Sequence, residues 1–347
     1  MPLIRFDSAR RNGPRIVALG GGTGLSNMLR GLKKYTENIT AIVTVSDDGG
    51  HSGILRRDLG ILPPGDIRNC LLALSNIEPI MESLIDYRFG EGELRGQNVG
   101  NLIIAALSDI CGSFSVAVSQ LSQVLAITGR VLPVTTQSVY LQAEFENGDT
   151  VLGESKIAEY KKELGSRIAQ VSLKPGTPGA TPEVLSAISQ ADMIVFGPGS
   201  LYTSIVPNLL VRGVSEAIRE SNALRVFVCN VMTQEGETEG YSVSDHLRAL
   251  ERHGAKCDVC LANSEPVSQA AAERYALEGA GCTKVDAEAV RALGVRLLTR
   301  PVMTEAGGYV RHDPWKLAQE LIMLHYREHD RGELRRFDEA MAEYLAD

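Results

Sequence analysis

Five stretches of this 347-residue chain set backbone-exposing or amide residues beside groups that bind anions or carry charge. The first is Gly20-Gly21-Gly22-Thr23-Gly24-Leu25-Ser26, where successive glycines let backbone N–H groups approach a phosphate and Thr23 and Ser26 add hydroxyls. A tight turn by itself does not call for four glycines. At the start of a helix such a loop also gains the helix dipole, which favours an anion. The second stretch, Ser46-Asp47-Asp48-Gly49-Gly50-His51-Ser52-Gly53, joins two carboxylates to a glycine run, and Pro63-Pro64-Gly65-Asp66-Ile67-Arg68-Asn69 adds a third. Carboxylates gathered at strand ends can hold a hard divalent cation, act as general bases or bind sugar hydroxyls. Asp47, Asp48 and Asp66 are therefore the candidate ligands for magnesium or manganese. Turn chemistry is the simpler account of the Asp47-Asp48 pair, and helix capping that of Asp66, leaving Arg68 free to face an anion.

Phe196-Gly197-Pro198-Gly199-Ser200 predicts a second phosphate cradle through Gly199 and Ser200. Asn230 stands at the end of another apolar run, where an amide can read a base or a sugar, and Asn98 and Asn101 of Gly96-Gln97-Asn98-Val99-Gly100-Asn101 can cap a helix or reach the same ligand. Tyr275 and Arg311 are single residues near the ends of later elements. Each has an ordinary role, half-buried packing for the tyrosine and a solvated charge for the arginine, yet together they can clamp a base and its phosphates. Other chemistry has little support. Cys257-Asp258-Val259-Cys260 falls inside a predicted strand, which sends its thiols to opposite faces, and no H-E-x-x-H or G-x-S-x-G pattern occurs. The first loop is no dinucleotide fingerprint either, because Leu25 stands where the third glycine of G-x-G-x-x-G belongs, although Asp47 follows at the spacing of a ribose-binding acid.

The elements that must carry these residues are read from periodicity. Arg15–Gly20 is a short apolar run before the glycine loop, Leu25–Tyr35 is helical, and Ile39–Ser46 is a β-branched run of the sort buried in a parallel sheet. Four helical stretches follow, at Gly65–Ser75, Pro79–Phe89, Val99–Ile110 and Ser115–Ile127, and are expected to cover one side of the sheet. From Arg130 to Lys174 the period is two, with Asn147-Gly148-Asp149 as a turn, which predicts an inserted antiparallel hairpin. Strand and helix then alternate, with strands at Asp192–Phe196, Leu224–Val231, Cys257–Ala262 and Val295–Pro301 and helices at Leu209–Glu220, Val243–His253 and Val267–Glu278, before a helical cover over Pro314–Leu345. This pattern predicts an α/β protein: a Rossmann-like, doubly wound, mainly parallel sheet forming one domain over residues 1–347, with residues 130–174 as a hairpin insertion or small sub-domain.

Composition narrows the partners. Hydrophobic residues make up 44% of the chain and charged residues 22%, enough apolar material for a folded core. A net charge of −8 supplies no general field for nucleic acid or an anionic membrane. No apolar run reaches the roughly 18 residues of a spanning helix, no leader is evident, and six cysteines in mostly apolar surroundings read as reduced thiols, so the expected location is the cytoplasm.

In order, GGGTGLS, TVSDDGGHSG, PPGDIRNCLLAL, GQNVGNLIIAAL, FGPGSLYTSIVPNLL, CNVMTQEGETEGYSVSDHL and RHDPWKLA resemble the motifs of the bacterial gluconeogenesis factor family, the YvcK-like proteins, from Arg15 to Leu317. The same superfamily contains 2-phospho-L-lactate transferase. The resemblance implies a cytoplasmic, Rossmann-like protein that binds UDP-sugars, notably UDP-N-acetylglucosamine, and is needed for cell shape and wall-precursor supply on gluconeogenic carbon sources. It implies a diphosphate site at Gly21–Thr23, substrate- or metal-binding roles for Asp47 and Asp66, and UDP-sugar contacts at Tyr275 and Arg311. Where the family usually has His this chain has Gln97, and where it usually has Ser this chain has His51; loss of a proton-transfer group favours binding over catalysis. The expectation is a non-catalytic, homo-oligomeric UDP-sugar sensor with an enzyme of amino-sugar synthesis as protein partner. The alternative is a metal-dependent, phosphoryl-group transferase of the phospholactate type.

Overall fold

A computed structural model describes residues 10–329. Seven parallel strands form the central sheet: β1 (Ile16–Gly20), β2 (Ile39–Val43), β3 (Arg130–Pro133), β7 (Met193–Phe196), β8 (Leu224–Val228), β9 (Val259–Asn263) and β10 (Arg296–Arg300), in the order β10-β9-β8-β7-β1-β2-β3. The chain runs outward from β1 to β3 and later restarts on the other side of β1 with β7. The switch point therefore lies between β1 and β7, where open α/β sheets bind ligands at the carboxyl ends of their strands. β1 and β2 are buried along their whole length, as a strand covered on both faces must be. Alternation divides β1 between two cores. Val17 and Leu19 enter one with Phe196 and Phe227, while Ile16 and Ala18 enter the other with Met28 and Leu29.

The second core is roofed by α1 (Gly22–Leu32), α3 (Gly65–Leu74), α4 (Pro79–Asp86), α5 (Val99–Cys111) and α6 (Phe114–Val124), so the four helical stretches expected on one side of the sheet do lie there. Between β2 and α3 the chain forms α2 (Gly50–Leu59), a helix that sequence does not predict because Gly49-Gly50-His51-Ser52-Gly53 carries no apolar period. Its start has Gly50 at φ +47° and its end has Gly60 at φ +68°, so glycine opens and closes the helix.

The inserted region differs from the expected hairpin. Arg130–Pro133 is not part of it; that segment is the parallel edge strand β3, with Arg130 opposite Thr40. A separate three-stranded antiparallel sheet, β5-β4-β6, comprises β4 (Tyr140–Phe145), β5 (Thr150–Leu152) and β6 (Ile168–Lys174), with α7 (Glu154–Leu164) between β5 and β6. Leu141, Ala143, Phe145, Val171 and Leu173 drive this sheet onto the first core, which explains its period of two.

The first core is completed by α8 (Pro182–Ser189), a π-helical turn at Leu201–Ile205, α9 (Val206–Leu209), α10 (Val214–Glu220) and α11 (Val243–Arg252). The single helix expected over Leu209–Glu220 is broken because Gly213, at φ +94°, restarts the chain as the N-cap of α10. Beyond these lie α12 (Gln269–Leu277), α13 (Ala287–Ala292) and α14 (Pro314–His329). A hairpin that the sequence reading missed, β11 (Met303–Ala306) and β12 (Tyr309–His312), turns through Gly307 and Gly308, both at positive φ. The expected terminal helix is seen to His329, and its remainder lies outside the described residues. Among the described residues no helix is long and apolar enough to cross a membrane.

Helix α14 lies across α1 so closely that a Cβ on Gly31 would overlap the Pro314 carbonyl oxygen. Gly31→Ala is expected to destabilise the protein by about 2 kcal/mol, within the usual cost of overpacking. Thermal unfolding should fall by several degrees, and an unchanged Tm would show that the two helices separate without cost.

Candidate functional site

Three glycines of the first loop are needed for three different reasons. Gly22 opens α1 at φ +67°, a conformation that costs other residues roughly 1–2 kcal/mol. Gly24 packs against the loop after β7, where an added Cβ would lie 2.6 Å from the Pro198 carbonyl oxygen. At Gly21 the space a Cβ would fill is taken by the Asp66 carboxylate. Gly20 closes β1, its carbonyl accepting from the Thr44 amide at 3.1 Å and from Asn208 Nδ2 at 3.2 Å. Asn208, fully buried, also donates to the Ser204 carbonyl, so one side chain ties the end of β1 to the turn after β7.

That second loop is held from below and behind. Asn230 Nδ2 donates to the Gly199 carbonyl at 2.8 Å and its Oδ1 accepts from the Gly199 amide at 3.3 Å, so this amide is spent on the loop backbone. Ser200 Oγ donates to Gln234 Oε1 at 2.5 Å. Glu237, only 2% exposed, accepts from the amides of Tyr202 and Thr203 at 3.1 and 2.9 Å. Nothing in its surroundings in sequence sets Glu237 apart from Glu235 and Glu239; only the fold buries it.

A cleft of about 520 Å³ opens between the two loops. Its floor is Gly21, Gly22, Thr23 and Gly24 with Gly199 and Ser200, Asn230 lies at its side, and Tyr275 and Arg311 stand on the opposite wall. Nine of the residues singled out in the sequence thus meet at one place. Among the described residues Arg311 is the one Lys or Arg that lines the cleft. Its side chain is exposed, 5.6 Å from the Tyr309 ring. Beside it His312 is buried and gives a hydrogen bond to the Cys229 carbonyl, while burial pushes its pKa down to about 4 and keeps the ring neutral.

The acidic residues lie behind the cleft. Burial raises Asp66 to about 6, the Asp47 charge adds to the rise, and the Gly22 amide and Arg68 oppose it. Asp47 is also raised by burial, while its Oδ1 accepts from the Gly49 amide at 2.9 Å. A third carboxyl, Glu154 at the start of α7, is pushed well above its usual range by burial and then by Asp47 and Asp66, and it accepts from Ser46 Oγ at 3.0 Å. Sequence spacing does not single out Glu154, because it lies in the helix of the inserted region, 107 residues from Asp47 in sequence. Asp48 turns the other way and caps α7 by accepting from the Ser155 amide at 2.9 Å. Arg68 is not free to face an anion, since it pairs with Asp86 at 2.5 Å. Among the described residues no three His, Cys, Asp or Glu side chains come together as a set that could hold a metal ion.

Asn98 and Asn101 stand apart from the cleft. Asn98 is the N-cap of α5, accepting from the Asn101 amide at 3.0 Å and donating to the carbonyls of Asp86 and Tyr87. Cys257 precedes β9 and Cys260 lies within it; both are buried, with the Cys260 thiol against Cys229.

Residues 16–303 match the family described as 2-phospho-L-lactate transferase CofD. The gluconeogenesis factor of Bacillus subtilis is 47% identical over 315 residues, covering 90% of this chain and 98% of the relative. That of Halalkalibacterium halodurans is 46% identical, with 88% and 95% covered. A crystal structure of a protein from Bacillus halodurans superposes with a TM-score of 0.86 at 46% identity, over 89% of this chain and 99% of that one.

Asp66 binds its proton more tightly in the folded state, near pH 6, than in the unfolded chain, near 3.8. Its contribution is therefore complete below about pH 3.8 and is lost as pH rises through about 6. Asp66→Asn should be insensitive to that step, so the Tm of the variant relative to the parent should climb between pH 4 and pH 7. Parallel Tm–pH curves would show that Asp66 ionises without penalty.

Proposed function

This chain belongs to the gluconeogenesis factor family, and from that premise we propose that its cleft binds a UDP-sugar, with UDP-N-acetylglucosamine as the ligand. The observation that carries the reading is the convergence of two glycine loops, one on each side of the sheet's switch point, on a cleft faced by Arg311. Amides at the start of α1 present N–H groups and a helix dipole to one phosphate. None of the first-turn residues of α1 is itself acidic; the one carboxylate at this end is Asp66, behind Gly21 and Gly22, which leaves the amides of Thr23 and Gly24 for the anion. Gly199 and Ser200 face it from the neighbouring strand, and Arg311 supplies the charge that a diphosphate needs on its open side. The role that follows is that of a sensor: a cytoplasmic protein whose occupancy reports amino-sugar nucleotide supply to cell-wall synthesis and cell shape, passing the signal to an enzyme of that branch.

A second reading, transfer of a phosphoryl-containing group, is favoured by the family description and by Asp47 and Asp66 lying directly behind the phosphate loop. Among the described residues the acidic side chains do not assemble a three-ligand metal set.

One measurement decides between these readings and a second tests the glycine loop that both of them use. UDP-N-acetylglucosamine at 100 times its Kd should raise stability by about 2.7 kcal/mol in chelator as well as in magnesium. A thermal shift that disappears in chelator and returns with magnesium or manganese would favour the transferase. Gly22→Val, which strains the loop and fills the phosphate position, should abolish binding in calorimetry while the protein stays folded. Undiminished affinity in that variant would remove the glycine loop from the site.

A further inference from the structure

We propose that Tyr275 is a positioning residue whose hydroxyl takes the place of a missing neighbour strand on β12 and thereby aims Arg311 across the cleft. The hydroxyl accepts from the Val310 amide at 3.1 Å and donates to the Val310 carbonyl at 3.3 Å. Both backbone groups of one strand residue are thus satisfied by a single side chain, as a paired strand would satisfy them. β12 has need of this. It belongs to a two-stranded sheet separate from the seven-stranded one, and an isolated hairpin of four-residue strands is marginal in water.

Arg311 stands between two anchors. Val310 is held by Tyr275 on the free edge, and His312 is held by the Cys229 carbonyl, at the end of β8 and next to Asn230. Across the hairpin Arg311 is opposite Thr304. No ion pair holds the guanidinium among the described residues; it lies 5.6 Å from the Tyr309 ring of the same strand, so β12 fixes both the point from which the side chain leaves and the ring it lies against. Tyr275 has little left to offer a ligand directly. Its hydroxyl proton and one acceptor site are used, and its ring packs with Val231, Met232, Ala271, Met303 and Val310 in a small core of their own. An effect of Tyr275 on binding must then pass largely through β12.

This inference rests on the reading of Arg311 as the diphosphate contact, and its test separates the two. UDP-N-acetylglucosamine affinity is measured by calorimetry for the parent, Tyr275→Phe, Tyr275→Ala, Arg311→Ala and the Tyr275→Phe/Arg311→Ala pair, and exchange of the Val310 amide is followed without ligand. Tyr275→Phe keeps the ring and removes both hydrogen bonds. It should weaken binding roughly tenfold, should add little to the loss already caused by Arg311→Ala, and should speed Val310 exchange at least tenfold. Normal affinity in Tyr275→Phe with loss in Tyr275→Ala overturns the proposal in favour of direct ring contact, as do losses that multiply in the double variant. If the parent does not bind the nucleotide, the ligand reading fails on its own. Val310 exchange then decides the clamp: faster exchange in Tyr275→Phe supports it, and unchanged exchange overturns it.

Discussion

The site depends on how closely two backbones approach at the centre of the sheet. β1 and β7 are hydrogen-bonded neighbours, so the loops that leave them must cross within van der Waals distance. That is feasible because Gly24 has no side chain facing the Pro198 carbonyl. Asn208 and Asn230 then fix the contact, the first by bridging Gly20 and Ser204, the second by bracketing Gly199. Both amides are removed from ligand chemistry by this work, and in exchange the backbone amides of Thr23, Gly24 and Ser200 are held in one orientation. Preorganised donors of this kind lose little entropy when an anion arrives.

Behind this contact the three carboxyls Asp47, Asp66 and Glu154 set a limit on charge. Each is pushed upward by burial and by its neighbours, so the region cannot carry three negative charges at neutral pH without a large electrostatic cost. Arg56 offsets part of it. Buried itself, Arg56 donates to the carbonyls of Ser46, Asp47 and Val139 and stacks 3.8 Å from the Tyr140 ring, which links the acidic loop to the small sheet. The inserted sheet is thus more than a cover for the first core, since it delivers Glu154 and receives Arg56.

The parts of the fold that were legible in sequence are those with strong periods or covalent constraints. β1, β2 and the glycine loops follow from apolar runs that end in glycine, and their meeting follows from the rule that parallel sheets bind ligands at a switch point. α2 was hidden by its own glycines, and β3 was hidden because a four-residue edge strand reads like the start of the hairpin that follows it. Among site residues, the glycines, Ser200 and Asn230 announced themselves by type and spacing. Tyr275 and Arg311 came from the family likeness, because the strand that brings Arg311 to the cleft is only four residues long, too short for its alternating burial to show as a period in sequence. Glu237, His312 and Glu154 could not be found by type: burial distinguishes the first two, and the carboxyls that the fold sets beside it distinguish the third.

The switch point has a mechanical meaning as well as a chemical one. β1 to β3 form one flank of the sheet and β7 to β10 the other, and each flank contributes one glycine loop to the same cleft. An anion bound there, as proposed, would touch both flanks at their seam, in the manner of a rivet. Its occupancy would then bear on shear between the flanks, and not on order in a single loop alone.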